Sequence, residues 1–260
     1  MAVDRFIILG RPRTGSTFLQ TLLDAHSQIR VFGELFAQYS RPGWGIEPAL
    51  KSPQAIAMIQ NEPIKFLEDY LFGELPRRLA ASPFKPRLSV VGFKLFYDQA
   101  QEDSWQIVWR WARQQKNLKI IHIKRRNILK AHLSQRRAHA NRSWISTPLN
   151  PPAPGEEGAT SPLYLDYEEC LRAFKFTREQ ELLCDSLFSE HPKIDVIYEN
   201  LAEEWEAEIT RAQEFLGVPC EPLKPFTRKQ SRLPTTAEIV NYLELKDRFR
   251  GTAWESFFDE

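Results

Sequence analysis

The stretch Gly10-Arg11-Pro12-Arg13-Thr14-Gly15-Ser16-Thr17 nearly spells the phosphate-cradling motif G-x-x-x-x-G-K-[ST], with Ser16 where that motif keeps its lysine. Set between a strand and a helix, such a loop points backbone N–H groups and a positive helix end at one spot. That arrangement binds phosphate or sulfate without a lysine. Ser16 and Thr17 add hydroxyl donors, and Arg11 and Arg13 add charge. The glycine spacing alone is a weak signal; its strand–loop–helix context and the two arginines make it an anion site.

A Mg²⁺-nucleotide site also needs an Asp at the end of a neighbouring apolar strand. The candidate strands here end in "VVGFKLF", "IIHIKRRN" and "DVIYENL", so Lys94, Arg125 and Arg126 arrive where the carboxylate should be. Cations there repel Mg²⁺, and the pocket reads as one for a highly anionic nucleotide without metal. In "RRNILKAHLS", Arg126 and Ser134 are eight apart. On a helix that interval is about 80° beyond two turns, so both can lean to one side and hold a second phosphate. The competing reading is a solvated basic helix, because Lys130, Arg136 and Arg137 follow.

Positioning these groups takes alternating elements. Short apolar runs predict buried strands at 5–9, 88–93, 118–124 and 194–198. Helical periodicity runs from Gly15 to near His26, then over 64–81, 104–114, 128–140, 166–188, 202–216 and 236–249. Strands separated by helices of this length pair in parallel. The expected fold is α/β, a P-loop-like three-layer domain whose central parallel sheet of four to five strands is flanked by helices, with ligands at the strands' carboxyl ends. Residues 1–260 read as a single domain. The Pro-, Gly- and Ser-rich segment 144–163 reads as a mobile loop or a plain surface excursion.

With 42% hydrophobic and 27% charged residues and a net charge of +1, the chain can bury a core and carries no overall field for nucleic acid or an anionic membrane. Cys170, Cys184 and Cys220 read as reduced thiols of a cytoplasmic protein. The first strand starts within five residues, leaving no room for a signal peptide, and no apolar run suits a membrane span.

The motifs resemble those of sulfotransferases that use 3′-phosphoadenylyl sulfate (PAPS). "RPRTGSTFL" looks like their 5′-phosphosulfate loop, "RRNILKAHLS" their 3′-phosphate motif, and "VIYENLAEEWEAEITRAQEFLGVP" their Tyr-Glu-Asp/Asn-Leu strand with the helix after it. "GELF" and "TRKQS…NYLELKDRFRGT" are similar to bacterial carbohydrate sulfotransferases of the trehalose and nodulation-factor type. The resemblance implies a donor site in which Arg13, Thr14, Gly15, Ser16 and Thr17 hold the 5′-phosphosulfate. It also implies Arg126 and Ser134 on the 3′-phosphate, Tyr198 near the adenine, and Arg228, Lys229 and Gln230 closing over the nucleotide. The last is the loosest match, since the family's Arg-Lys-Gly is Arg-Lys-Gln here.

The implied reaction is metal-free transfer of a sulfuryl group from PAPS to a hydroxyl of a small-molecule or glycan acceptor, releasing 3′,5′-ADP (PAP). Arg13 would be the catalytic cation. Cytosolic relatives carry a histidine base in Lys-x-His, which is Lys94-Leu95-Phe96 here, so Glu34 is the substitute base; it could equally pair with Arg11 or Lys94. Lys94 could contact the sulfonate or acceptor, or merely cap its strand. A small-molecule kinase and a non-catalytic PAP-binding protein are the rival functions, and a homodimer stays open. His26, His122, His132 and His139 are expected to be structural or exposed, Trp109 and Trp111 core, and Trp44 a candidate acceptor-facing aromatic.

Overall fold

The computed structural model describes residues 3–37, 50, 52–81, 83, 85–101, 104–141, 161–225 and 233–259. Five strands form one parallel sheet, β1 Asp4–Gly10, β2 Ile29–Glu34, β3 Val90–Phe96, β4 Lys119–Lys124 and β5 Lys193–Ile197, in the order β2-β3-β1-β4-β5. The apolar runs predicted as strands become β1, β3, β4 and β5. The chain runs from β1 to the edge strand β2, returns to β3 between the two, then crosses β1 to reach β4. The switch between β1 and β4 is where an open parallel sheet offers its ligand crevice.

β2 falls where no strand was expected. Its run "IRVFGE" is interrupted by Gly33, and the pairing with β3 slips between Phe32 and Glu34, so that Glu34 comes abreast of Lys94. Bulges of this kind re-aim side chains beside active sites.

Both faces of the sheet are covered, which is why the strands read as continuous apolar runs. Ile7, Leu9, Phe93 and Leu95 pack against the helical region 53–80 and the helix Gln106–Gln114. Phe6, Ile8, Ile121 and Val196 pack against helix α1 (Ser16–Ala25) and the helix Trp205–Leu216. A third cluster joins the helices Ile128–Asn141, Tyr167–Leu187 and Tyr242–Phe249 through Leu129, Phe174 and Phe249.

The helix expected over 64–81 runs as Pro63–Lys65, Phe66–Glu74 and Leu75–Ala80, with a π-helical middle section. That section carries Glu68, which accepts hydrogen bonds from Arg5 Nη1 (2.8 and 3.0 Å) and Trp111 Nε1 (2.7 Å). Trp111 is therefore a core residue, as expected, and Trp109 Nε1 donates to the Gln99 carbonyl at 2.9 Å. The expected helices at 202–216 and 236–249 are each broken: Tyr198–Glu203 precedes Trp205–Leu216, and Thr235–Glu238 precedes Tyr242–Phe249. Among the described residues no helix is long and apolar enough to cross a membrane.

Candidate active site

The loop between β1 and α1 is held in a shape that few sequences accept. Arg13 and Gly15 both have left-handed backbones, φ 68° and 80°. A Cβ on Gly15 would lie 2.5 Å from Tyr198 Cδ2, so the loop needs glycine there both for its backbone and for the tyrosine packed on it. The Thr14 hydroxyl donates to the Arg11 carbonyl at 2.8 Å and braces the turn from inside. Gly15 ends the loop at the N-terminus of α1, whose first turn contains no acidic residue. The unpaired N–H groups there favour an anion.

Two arginines from the turns that follow different strands, β1 and β4, meet at this loop. Arg13 Nε donates to Ser134 Oγ at 2.9 Å, and Arg125 Nη1 donates to the Arg13 carbonyl at 3.0 Å. The Arg125 guanidinium stacks on the Tyr198 ring, 4.3 Å from its centroid. Burial, reinforced by the charge of Arg125, pulls the pKa of Arg13 below its usual value; burial does the same to Arg125. Both shifts record cations whose water has been removed, a cost that a seated anion offsets. The Arg125 Nε is also buried without a hydrogen-bond partner among the described residues.

At the other side of the loop, Lys94 Nζ lies 3.3 Å from Thr17 Oγ1 and 3.3 Å from Glu34 Oε1. In a Mg²⁺-nucleotide site the hydroxyl at the Thr17 position binds the metal; here it faces an ammonium. Burial lowers the pKa of Lys94, and Glu34 works in the opposite direction. Gln99 Nε2 donates to Glu34 Oε2 at 2.9 Å, so both oxygens of Glu34 are held. The ion pair offered as one reading of Glu34 is thus formed with Lys94.

The second turn is built differently from the first. The Glu199 carboxylate accepts from the backbone N–H groups of Arg126 (3.0 Å) and Asn127 (3.2 Å), and Asn127 Oδ1 caps Lys130 N at 3.0 Å. The N–H groups of Arg126, Asn127 and Lys130 are thereby occupied, which leaves less of this turn's backbone open to an anion than the first turn offers. Arg126 is exposed and its Nη2 donates to Asn200 Oδ1 at 2.9 Å, while Ser134 faces Arg13. Arg13, Ser134 and Tyr198 are brought together; no contact joins Arg126 to Ser134 among the described residues.

Arg11 departs from its expected place. Its Nη1 donates to Thr177 Oγ1 and its Nη2 to Gln135 Oε1 at 2.9 Å, turning the guanidinium away from the anion loop. Arg228, Lys229 and Gln230, Trp44, and residues 144–160 of the expected loop lie outside the described residues. Sequence reasoning missed Gln99 as the second partner of Glu34, which no local pattern signals. It also left Arg125 out of the binding set, although the paired arginines of "KRRN" were visible.

One further polar cluster calls for a metal test. His122, Asp185 and Asp195 bring ligand-type atoms within 4.8 Å of one another. Lys124 Nζ, however, lies 2.8 Å from Asp185 and 2.7 Å from Asp195, and Lys193 lies 2.6 Å from Asp185. Ammonium groups already neutralise both carboxylates, and the group is an ion-pair network. Burial lowers the pKa of His122 to about 4, leaving it neutral, and Asp185 is held well below the usual carboxylate range by Lys124, Lys193 and His122 against the opposing effect of burial. Asp185 therefore accepts from His122 Nδ1–H (3.0 Å), and His122 Nε2 accepts from the buried Tyr97 hydroxyl (2.6 Å).

Known proteins resemble this chain in sequence and in fold. Residues 5–64 match the model of the sulfotransferase family. The chain is 24% identical to Nodulation protein H of Rhizobium meliloti (strain 1021) over 258 residues, 98% of this chain and 94% of that protein. It is also 24% identical to Nodulation protein H of Rhizobium tropici over 260 residues, 98% and 93% of the two chains. Among solved structures, the sulfotransferase domain from the curacin biosynthetic pathway matches with a TM-score of 0.54 at 19% identity, covering 100% of this chain and 90% of that one. A sulfotransferase from Alicyclobacillus acidocaldarius matches with a TM-score of 0.50 at 14% identity, covering 96% and 92%. At such identities the solved structures speak for the fold.

Proposed function

We propose that this chain, a sulfotransferase by family and fold, moves the sulfuryl group of PAPS to a hydroxyl of a carbohydrate or glycolipid acceptor, releasing PAP without the help of a metal. The observation that carries the metal-free reading is the Lys94 ammonium 3.3 Å from Thr17 Oγ1. A fixed cation at that hydroxyl does electrostatically what Mg²⁺ does in a kinase, and it excludes the metal by charge. The same contact weighs against a Mg²⁺-dependent small-molecule kinase.

A sulfonate carries one negative charge, so fixed donors suffice to stabilise its transfer. In this reading Arg13, Ser16, Thr17 and the N-terminal N–H groups of α1 hold the 5′-phosphosulfate and neutralise charge growing on the leaving phosphate oxygen. Ser134 and Arg126 take the 3′-phosphate, which requires Arg126 to leave Asn200. Tyr198, fixed between Arg125 and Gly15, lies against the adenosine, and Arg228, Lys229 and Gln230 cover the nucleotide. Glu34 receives the acceptor's proton as the new O–S bond forms and the S–O bond to the phosphate breaks. Lys94 keeps that carboxylate oriented and offers its own charge to the sulfonate. All three cysteines are free, which supports a reducing compartment such as the cytoplasm.

The test is thermal unfolding in the presence of PAP with Mg²⁺ chelated. PAP raises Tm by mass action, and 5′-AMP, lacking the 3′-phosphate, raises it much less. Equal shifts from the two compounds would remove the basis for a second phosphate site.

A further inference from the structure

Gln99 is buried in the turn after β3, and its side chain reaches both the backbone and Glu34. Phe96 N–H donates to Gln99 Oε1 at 3.1 Å, and Gln99 Nε2 donates to Glu34 Oε2 at 2.9 Å. A backbone N–H can meet only the oxygen end of the amide, so the NH₂ end must be the one that faces Glu34. We propose that Gln99 is the positioning residue of the proton-accepting group, fixing the direction of the Glu34 carboxylate and keeping it ionised. The role of Glu34 as base rests on the sulfotransferase reading above; the hold of Gln99 on it rests on these contacts.

The turn is anchored to both halves of the site. Tyr97 N donates at 3.0 Å to the carbonyl of Gly10, the first residue of the anion loop. Ala100 N donates at 3.3 Å to the carbonyl of Phe36, two residues beyond Glu34. Gln99 N donates to the Phe96 carbonyl at 3.0 Å, and the Gln99 carbonyl accepts from Trp109 Nε1 at 2.9 Å. Ala100 sits at φ 54°, a left-handed backbone that a non-glycine residue adopts at a cost. With both ends of its amide and both backbone groups engaged, Gln99 links the loop that takes the donor to the strand that carries the base. The slip in β2 sets Glu34 abreast of Lys94, and Gln99 takes the carboxylate's other oxygen.

Lys94 does not hold the base by itself. Its Nζ is shared between Glu34 Oε1 and Thr17 Oγ1, each at 3.3 Å, and in the proposed reaction its charge turns to the sulfonate. The Gln99 bond is shorter, and its donor has a fixed direction. An amide NH₂ donates and cannot accept. It therefore favours a carboxylate over a carboxylic acid at Oε2, because a hydrogen bond to the charged form favours that form. The proton from an acceptor hydroxyl then settles on a lone pair that Gln99 does not use. A neutral donor also adds no charge of its own, so it holds the base without repelling Lys94.

The experiment titrates Glu34 directly in the full chain by carbon NMR, with glutamate isotope-labelled at Cδ. The resonance lost in Glu34→Gln is that of Glu34. In Gln99→Met, which keeps the length and cannot donate, its titration should move to higher pH by about one unit. Gln99→Glu nearly keeps the shape and gives a second signature in the acceptor-free hydrolysis of radiolabelled PAPS. A glutamic acid there donates only while protonated, and two ionised carboxylates repel each other. Its rate relative to wild type should therefore be highest at about pH 5.5 and fall about tenfold by about pH 8.5. Both variants should keep the wild-type Tm rise with PAP. An unchanged Glu34 titration in Gln99→Met, or a Gln99→Glu rate that follows the wild type across this range, overturns the proposal. Loss of the PAP effect in both variants would make Gln99 a general strut of the fold and overturns it too. If Glu34→Gln hydrolyses PAPS as fast as the wild type, or the wild type not at all, while the Glu34 titration still moves in Gln99→Met, the base reading falls and the hold of Gln99 on the carboxylate stands.

Discussion

Arg13 Nε donates to Ser134 Oγ at 2.9 Å, joining the loop after β1 to the helix after β4 across the switch point of the sheet. The bond holds the side chain of a residue with a left-handed backbone above the N-terminus of α1. Replacing Arg13 with methionine keeps the stem and removes the charge. Loss of one such preorganised donor typically costs about 3 kcal/mol of transition-state stabilisation. We therefore expect Arg13→Met to lower kcat by about a hundredfold or more in a sulfate-transfer assay. Ser134→Ala should instead mainly reduce the Tm rise produced by PAP.

Lys94 and Glu34 act as one unit, and their variants should show it. Neutralising either leaves the other charge partly buried with its partner gone, so each single substitution should be more harmful than half of the pair. We expect Lys94→Met and Glu34→Gln each to reduce turnover by at least about a hundredfold. The double variant should fall short of the product of the two losses, with a coupling of about 1 kcal/mol or more in a double-mutant cycle. Additive effects would mean that the ion pair plays no joint part in turnover.

The anion loop was legible in the sequence because eight consecutive residues carry their own mechanism. The apolar strands before it and at "VVGFKLF" revealed the frame, and Lys94 near the end of the latter already argued against Mg²⁺. The rest depended on distance along the chain. The partner of Glu34 emerges only when β2 forms, and β2 is stabilised by pairing with β3 across a slip at Gly33. Arg11 and Arg13 look equivalent in the motif, yet an intervening proline and Thr177, 166 residues away from Arg11, send them to opposite sides. The Glu199 carboxylate occupies backbone donors that a one-dimensional reading leaves open for phosphate.

Two buried histidines make acid stability predictable. Burial, aided by neighbouring cations, lowers His122 and His132 from 6.5 to about 4. The unfolded chain takes up these protons near pH 6.5 and the folded chain only near pH 4. Their stabilising share is therefore complete above neutrality and is lost as pH falls from 6.5 towards 4. Asp185, held low by its lysines, adds a loss in the same direction at still lower pH. The urea midpoint should fall between pH 7.5 and pH 5, and His132→Gln should flatten that slope. A midpoint that stays constant over this range would show that the imidazoles titrate normally in the folded protein.

Gly15 offers the sharpest separation of backbone from side-chain effects. At φ 80° an alanine is strained whatever the space around it, and its Cβ would also meet Tyr198 Cδ2 at 2.5 Å. The backbone term alone is about 1–2 kcal/mol. Gly15→Ala should therefore lower stability by at least that amount and also abolish most of the Tm rise with PAP, because the displaced loop no longer aims its N–H groups at one point. Adding Tyr198→Ala relieves the contact but not the strained φ. The double variant should recover part of the stability while PAP binding stays impaired. Full recovery of both would mean that the contact with Tyr198, and not the left-handed turn, is what requires glycine at this position.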